Sequence, residues 1–318
     1  MKLSVVIPCY RSEATIENVV SEIENTIEPH GDEYEIILVN DCSPDNVWDR
    51  ICALCDRDSH IRGICLAKNF GQHSALMAGY AASSGDIVIS VDDDGQIPVD
   101  EMYLLIDGIL KGDDVVYGTY EHKRHSPLRN LGSKINDRMA QGLIDKPKNL
   151  RVTSYFAARR FVIDEMLNYH NAYPYVIGLV LRTTKKIGNV PVHHRARAEG
   201  SSGYTFVKLI SLWMNGFTAF SVKPLRLATF LGSICSAAGF IYGLYVVIRR
   251  IFNPEMLLGY SSLMAVMLFI GGLLMAMLGL IGEYIGRIYI SLNDSPQYVI
   301  RETRNVAAQT RDNENEKS

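Results

Sequence analysis

"DIVISVDDDGQIP", residues 86–98, is the stretch on which the reading of this chain turns. Its first half, "DIVISV", is apolar and β-branched and reads as a buried strand. Three carboxylates follow at once: Asp92, Asp93 and Asp94. Adjacent carboxylates repel and resist desolvation, so a core strand ending on three of them calls for positive charge between them. In an extended segment alternate side chains share a face. Asp92 and Asp94 therefore point one way and Asp93 points into the opposite wall. Hard oxygen ligands at a strand end suit Mg²⁺ or Mn²⁺ shared with a phosphate. The competing reading is an acidic turn capping a helix over Val99 to Leu105, where carboxylates favour the N-terminal dipole.

Residues 1–118 repeat one texture. "KLSVVIP", "YEIILVND", "IRGICLA", "DIVISVD" and "DDVVYGT" are short apolar runs. Between them "EATIENVVSEIENTIE", "VWDRICALCDRD" and "HSALMAGYAASS" carry helical apolar spacing. Strands that are apolar on both faces and alternate with helices predict a parallel sheet covered on both sides. Ligands of such sheets sit beyond the carboxyl ends of the strands. The polar residues gather there: Pro8 and Tyr10 after the first strand, Asn40 and Asp41 after the second, Lys68 and Asn69 after the third, Asp92 to Asp94 after the fourth.

The whole chain has 318 residues, which suits one large domain and an appendage. Hydrophobic residues make up 47% and charged residues 21%, with a mean hydropathy of +0.04. That balance is too apolar for a plain soluble enzyme and too polar for a bundle of spans. A formal net charge of −3 gives no reason to expect a nucleic-acid partner. Cys52 and Cys55 form a lone C-x-x-C with no second pair and no nearby histidine pattern, which reads as a reduced helix rather than a zinc site. "MKLSVVIPCY" does not read as a signal peptide, because its apolar run is short and Pro8 interrupts it.

Residues 119–160 are basic and irregular, with "YEHKRHSPLRNLGSKINDRM" at their centre; a solvated face is the plain reading. Residues 186–205 hold a further strand, "KIGNVPVHHRARAEG", and a Ser/Gly turn. The texture then changes. Residues 227–248 and 256–282 carry no charge, and each reaches the ~20 residues that cross a bilayer core. Gly239 and Gly243, then Gly282 and Gly286, recur at helical spacing and permit close helix contacts, a homo-oligomer included. Lys208, Lys223 and Arg226 precede this hairpin and Arg287, Arg301 and Arg304 follow it; the connecting loop has Arg249 and Arg250. The positive-inside bias places the large domain and the C-terminus on the cytoplasmic side. "YTFVKLISLWMNGFTAFSV", 204–222, reads as an amphipathic helix in the interface, and the tail from about Asn305 as disordered.

"VVIPCYRSEATI", "EIILVNDCSPDN", the stretch 66–98 and "RARAEGSSGYTFVKLISLWMNGFTAFSVKPLR" together resemble family 2 glycosyltransferases. The two-span hairpin narrows the likeness to the polyprenyl-phosphate glycosyltransferases, a group that includes bactoprenol glucosyl- and aminoarabinose-type transferases and dolichol-phosphate mannose synthase. The resemblance covers about residues 3–290. It implies an α/β GT-A (nucleotide-diphospho-sugar transferase) fold with a mostly parallel sheet, plus a C-terminal two-helix transmembrane hairpin. The expected division is a cytoplasmic catalytic domain over 1–203, an interfacial helix over 204–224, a hairpin over 225–290 with spans at about 227–248 and 260–282, and a cytoplasmic tail over 291–318. The expected setting is the bacterial plasma membrane.

By the same resemblance Pro8, Tyr10 and Glu13 frame the nucleotide pocket, Lys68 lies beside it, and Asp41 holds the base. Asp92 and Asp94 are the metal pair for Mg²⁺ or Mn²⁺, and Asp93 touches the ribose or stays structural. Gln96 and Pro98 match a Q-x-P element near the donor sugar. Arg129 and Ser133 match a loop that grips the lipid phosphate, with Lys123 and Arg124 as further cationic partners. Arg197, Gly200, Ser202 and Tyr204 match a loop that closes over the diphosphate. Three positions depart from the family pattern. Asn40-Asp41-Cys42-Ser43 stands where relatives often read Asp-Asp-Gly-Ser. Ser154-Tyr155-Phe156 stands where many have Asp-Phe-Arg, with Arg159 or Arg160 as candidate substitutes. Gly203 stands where relatives often carry Lys.

The activity implied is inverting transfer of a sugar from a nucleotide sugar, UDP-glucose first, to a polyprenyl phosphate such as undecaprenyl phosphate. A UDP-amino sugar, a UDP-N-acetylhexosamine or GDP-mannose are the alternative donors. A non-catalytic membrane scaffold with a transferase-like domain is the reading of a different class. A processive synthase is disfavoured, because neither Trp48 nor Trp213 sits in a Q-x-x-R-W element. A transporter is disfavoured by the lack of charged or broken spans.

Overall fold

The computed structural model describes residues 1–120, 150–193, 260–292 and 295–306, with Pro147 and scattered residues between 230 and 252. The chain divides into two compact units, Met1–Gly203 with Ser295–Ser318, and Tyr204–Asp294.

In the first unit the order is β1 (Lys2–Cys9), α1 (Ile16–Ile27), β2 (Glu33–Asn40), α2 (Val47–Arg57), β3 (Ile61–Leu66), α3 (Gln72–Ala82) and β4 (Ile87–Ser90). Then come α4 (Met102–Leu110), β5 (Val115–Tyr120), β6 (Phe156–Arg159), α5 (Arg160–Leu167), α6 (Val176–Thr183) and β7 (Ile187–Val192). A last strand, β8 (Ile300–Arg304), follows the second unit in sequence. The eight strands form one sheet in the order β7-β5-β6-β4-β1-β2-β3-β8. β4, β1, β2 and β3 run parallel, as do β5 and β7; β6 and β8 run antiparallel to their neighbours.

The apolar texture of β1 and β2 has its expected cause. Every residue of β1 from Leu3 to Cys9 is buried, as is β2 from Glu35 to Asn40, so both faces of these central strands meet helices. α1 covers one face through Ile16, Val19, Val20, Ile23 and Ile27, a stripe at helical spacing. α3 is different: Ser74 to Tyr80 are all buried, because this helix lies against β1 and β2 and is flanked by α5 and α6. Gly79 permits that approach. A Cβ there would stand 2.3 Å from Val6 Cγ1 and 3.1 Å from Val39 Cγ2. Gly79→Ala is therefore expected to destabilise by about 1–3 kcal/mol through overpacking, read as a lower urea midpoint at unchanged slope. An unmoved midpoint would mean that α3 can lift off the sheet freely.

The strand order sets the position of the site. From β1 the chain builds outward to β2 and β3, then returns across β1 to β4. The reversal falls between β1 and β4, whose carboxyl ends flank the crevice where such sheets bind ligands. The carboxyl ends of β1 to β5 and β7 share this rim, and antiparallel β6 and β8 begin there.

One sequence expectation is corrected. The tail over 291–318 is not all tail: Ile300–Arg304 pair with β3, and Asn305 Nδ2 donates to the carbonyls of Cys55 and Ile61. The five strand residues are all exposed, so no apolar run marks them. The C-x-x-C pair lies on α2, as read from the sequence, with Cys52 half-buried and Cys55 buried. Burial raises both thiols, Cys55 up to about 12, and among the described residues no group of three His, Cys, Asp or Glu could hold a metal.

In the second unit α7 (Tyr260–Leu292) has 33 residues, a length of about 50 Å at ~1.5 Å per residue. It is long and apolar enough to cross a bilayer core of about 30 Å, with the most apolar window at Phe269–Gly286. It runs ten residues past the expected span end at 282, through Glu283 and Arg287. The described residues between Phe230 and Phe252 are helical. The expected interfacial helix lies outside the described residues.

Candidate active site

Asp92 leaves the end of β4 half-buried and held from two sides. Its Oδ1 accepts Gln72 Nε2, at the first residue of α3, at 2.9 Å. Its Oδ2 accepts the hydroxyl of Ser154, two residues before β6. Burial raises the Asp92 carboxyl to about 6, the neighbouring charges of Asp94 and Asp93 add to the rise, and the Ser154 and Gln72 donors oppose it. Asp94 is also half-buried. One of its oxygens accepts the Gln96 amide at 3.1 Å across a turn in which Gly95 takes a left-handed φ of 70°. Among the described residues no lysine or arginine lies within ion-pair distance of Asp41, Asp92, Asp93 or Asp94.

Asp93 lies in the turn beyond the end of β4 and takes other partners than Asp92. Its carboxylate accepts the Tyr10 amide at 2.8 Å and its carbonyl accepts the Thr15 hydroxyl at 2.5 Å. It thereby ties the β4 end to the β1–α1 loop.

Asp41 is buried at the end of β2. Its two oxygens accept the Phe70 and Gly71 amides at 2.7 and 2.8 Å, and its carbonyl accepts Asn69 Nδ2 at 3.2 Å. Burial raises its pKa, and the two amides pull against that rise. Asp41 thus clamps the β3–α3 loop, which carries Lys68 with its ammonium 4.8 Å from the Phe70 ring centroid. Cys42 follows with φ 50°, a left-handed conformation that a glycine adopts at no steric cost. The chain accommodates the departure from Asp-Asp-Gly-Ser as a turn holding a side chain about 1 kcal/mol less comfortable there.

The remaining expected pocket residues divide. Tyr10 is exposed on the rim, with the Arg11 guanidinium 5.5 Å from its ring centroid. Gln96 is half-buried beside Asp94. Pro8 is buried near the carboxyl end of β1, in register with Val39. Glu13 turns to α2: one oxygen accepts the Asn46 amide at 3.2 Å and the other lies 3.8 Å from Arg50. Arg159 and Arg160 do not replace a rim arginine. β6 runs away from the rim, with Phe156 opposite Ser90 and Arg159 opposite Ile87. Arg159 donates to the carbonyl of Asp113 at 3.1 Å, and Arg160 to the carbonyl of Ser83 at 2.9 Å. Lys123, Arg124, Arg129, Ser133, Arg197, Ser202 and Tyr204 lie outside the described residues.

The sequence reading passed over Gln72 and Ser154. Gln72 opens a helix otherwise read as core. Ser154 registers only as a missing acid until the antiparallel direction of β6 puts it at the rim.

A crowded pair of hard oxygen donors at the switch point of a parallel sheet is the setting these carboxylates were expected to occupy. Residues 4–200 match the model described as glycosyl transferase family 2. The chain belongs to glycosyltransferase family 2. A second model, the GtrB C-terminal hairpin, matches residues 223–288 of this transferase. Among solved structures, glucosyl-3-phosphoglycerate synthase from Mycobacterium tuberculosis with Mn²⁺, UDP-glucose and phosphoglyceric acid aligns at TM-score 0.51 and 22% identity, covering 66% of this chain and 75% of that one. The same synthase with Mg²⁺ and UDP aligns at TM-score 0.48 and 23% identity, covering 63% and 72%. At these identities the likeness concerns the fold, and the fold is GT-A-like.

Proposed function

We propose that this family 2 transferase moves a sugar from a nucleotide sugar, UDP-glucose first, to a membrane-held polyprenyl phosphate such as undecaprenyl phosphate. The observation that carries the reading is that one chain joins two parts. A rim carboxylate pair belongs to a family 2 domain, and a C-terminal hairpin includes a helix long enough to cross a bilayer. An enzyme acting on a soluble acceptor has no need of such a hairpin. The synthase that shares the fold was solved with Mn²⁺ and UDP-glucose, and its Mg²⁺ form with UDP.

The donor set fits such a cation. Mg²⁺ is commonly bound by one or two carboxylates with substrate phosphates completing the shell, and Asp92 and Asp94 supply two. A divalent cation bound there supplies positive charge against the leaving nucleotide diphosphate. The chain's own residues do the positioning. Asp41 fixes the β3–α3 loop, and Asp93 fixes Tyr10 at the rim. The acceptor phosphate is already anionic at neutral pH, so its oxygen can attack the anomeric carbon without a strong general base. In-line displacement inverts that centre. Arg129, Lys123 and Arg124 are assigned to the acceptor phosphate, since two anions approach one another only with cations between them. Arg197, Ser202 and Tyr204 are assigned to the diphosphate. Ser133 is assigned to the acceptor beside Arg129, and Gln96 to the donor sugar. The proposed setting is the bacterial plasma membrane, with two spans and the catalytic unit on the cytoplasmic side.

The test is a screen of radiolabelled UDP-glucose, UDP-amino sugars, UDP-N-acetylhexosamines and GDP-mannose against undecaprenyl phosphate in membranes, with and without Mg²⁺ or Mn²⁺. Label is expected in the lipid phase only with a divalent ion. No lipid-linked product from any donor would refute the reading. Arg129→Ala should raise the acceptor KM about 10- to 100-fold, the worth of a charged hydrogen bond, and leave the donor KM within about twofold. Equal effects on both would remove Arg129 from the acceptor site.

A further inference from the structure

We propose that Gln72 and Ser154 are positioning residues that hold Asp92 as a metal ligand, and that their joint grip sets the affinity of the site for its divalent cation. The inference rests on the metal assignment above and deepens it. The geometry is specific. The Gln72 amide reaches one carboxylate oxygen at 2.9 Å and the Ser154 hydroxyl reaches the other, so the plane of the carboxylate is fixed from both sides. Each oxygen keeps a second lone pair for a cation. The two donors come from distant parts of the chain, Gln72 from the start of α3 and Ser154 from the approach to β6.

The clasp is neutral, and that matters at this place. Asp93 and Asp94 already crowd Asp92. A third acid in reach of Asp92 would add repulsion and could not donate when ionised. A hydroxyl and a carboxamide donate without adding charge. Gln72 is anchored in turn, because the preceding Gly71 amide is held by Asp41. The grip on Asp92 is thereby built from the same loop that Asp41 clamps. Outer partners that orient a ligating carboxylate are typically worth 10- to 100-fold in metal affinity.

Both donors are exposed, so their removal should spare the fold. The experiment is Mn²⁺ titration followed by electron paramagnetic resonance, in the presence of UDP, on the full-length protein and four variants. Ser154→Ala and Gln72→Ala are each expected to weaken Mn²⁺ binding about 10-fold, with unchanged melting temperatures. Ser154→Thr should bind like the unsubstituted protein, because it keeps the hydroxyl. Asp94→Asn should lose binding outright. In turnover, raising Mn²⁺ should restore most of the rate in the two alanine variants. Mn²⁺ affinities of both alanine variants equal to that of the unsubstituted protein, with Asp94→Asn deficient, would overturn the clasp and leave the metal pair standing. No Mn²⁺ binding by the unsubstituted protein, or full binding by Asp94→Asn, would overturn the metal pair and the clasp with it.

Discussion

Asp94→Asn is expected to cut sugar transfer about 10³-fold while the protein remains folded and membrane-bound. The magnitude follows from the several kcal/mol of charge stabilisation that a cation contributes to a departing diphosphate, at 1.36 kcal/mol for each factor of ten. The substitution isolates charge from shape. Asp94 accepts the Gln96 amide, and the carbonyl oxygen of an asparagine can accept the same bond. The Gly95 turn therefore has no reason to move. What disappears is one negative ligand of a pair. Steady-state transfer to undecaprenyl phosphate, with a melting curve as control, measures the effect. Turnover within a few-fold of the unsubstituted enzyme would refute the role of Asp94.

The second large effect concerns stability, at the opposite end of the sheet. Glu35 is 2% exposed in β2 and is the hub of a polar cluster. It accepts the Ser4 hydroxyl and the Ser84 amide, each at 2.6 Å. Arg62 stands 2.8 Å away and Lys2 3.6 Å. Burial alone would raise its pKa. The Ser4 and Ser84 donors and the Arg62 and Lys2 charges outweigh burial, so the carboxyl ends below the ordinary glutamate range. Removing one partner of such a group leaves the others stranded. Glu35→Ala is expected to cost about 3 kcal/mol, roughly 6–12 °C in melting temperature for a unit of this size.

The pH dependence has a definite sign. A carboxyl with a depressed folded pKa stabilises fully above its unfolded value, near 4.5, and loses that contribution as pH falls through the folded value. The gap between the unsubstituted protein and Glu35→Ala should thus be full at pH 7 and shrink below about pH 4.5. Thermal melts across that range check it. A gap that is absent at pH 7, or that widens in acid, would contradict the assignment.

Much of this was legible in the residues, for a physical reason. Strands buried on both faces must be apolar throughout, so β1 to β5 announce themselves, and their polar ends mark the rim. The strand before it places the carboxylate triplet at the rim, but Asp93 and Asp94 lie in a turn past the end of β4, so their partners follow from the turn and not from strand alternation. The antiparallel strands were harder. β6 is four residues long and opens on Phe156, with no alternation to separate it from a loop. β8 is exposed along its whole length and reads as a polar tail. Missing β6 hid its direction, which is why Ser154 looked like a vacancy and Arg159 like a substitute. Glu13 shows a related limit: sequence places a residue near a rim, and only packing gives its partners, here the Asn46 amide and Arg50.

The most direct test is the anomalous scattering of manganese in crystals grown with UDP-glucose and Mn²⁺. One peak is predicted within about 2.5 Å of the carboxylates of Asp92 and Asp94, with the nucleotide phosphates on its far side. A manganese peak elsewhere, with UDP-glucose bound and these two carboxylates bare, would contradict the account.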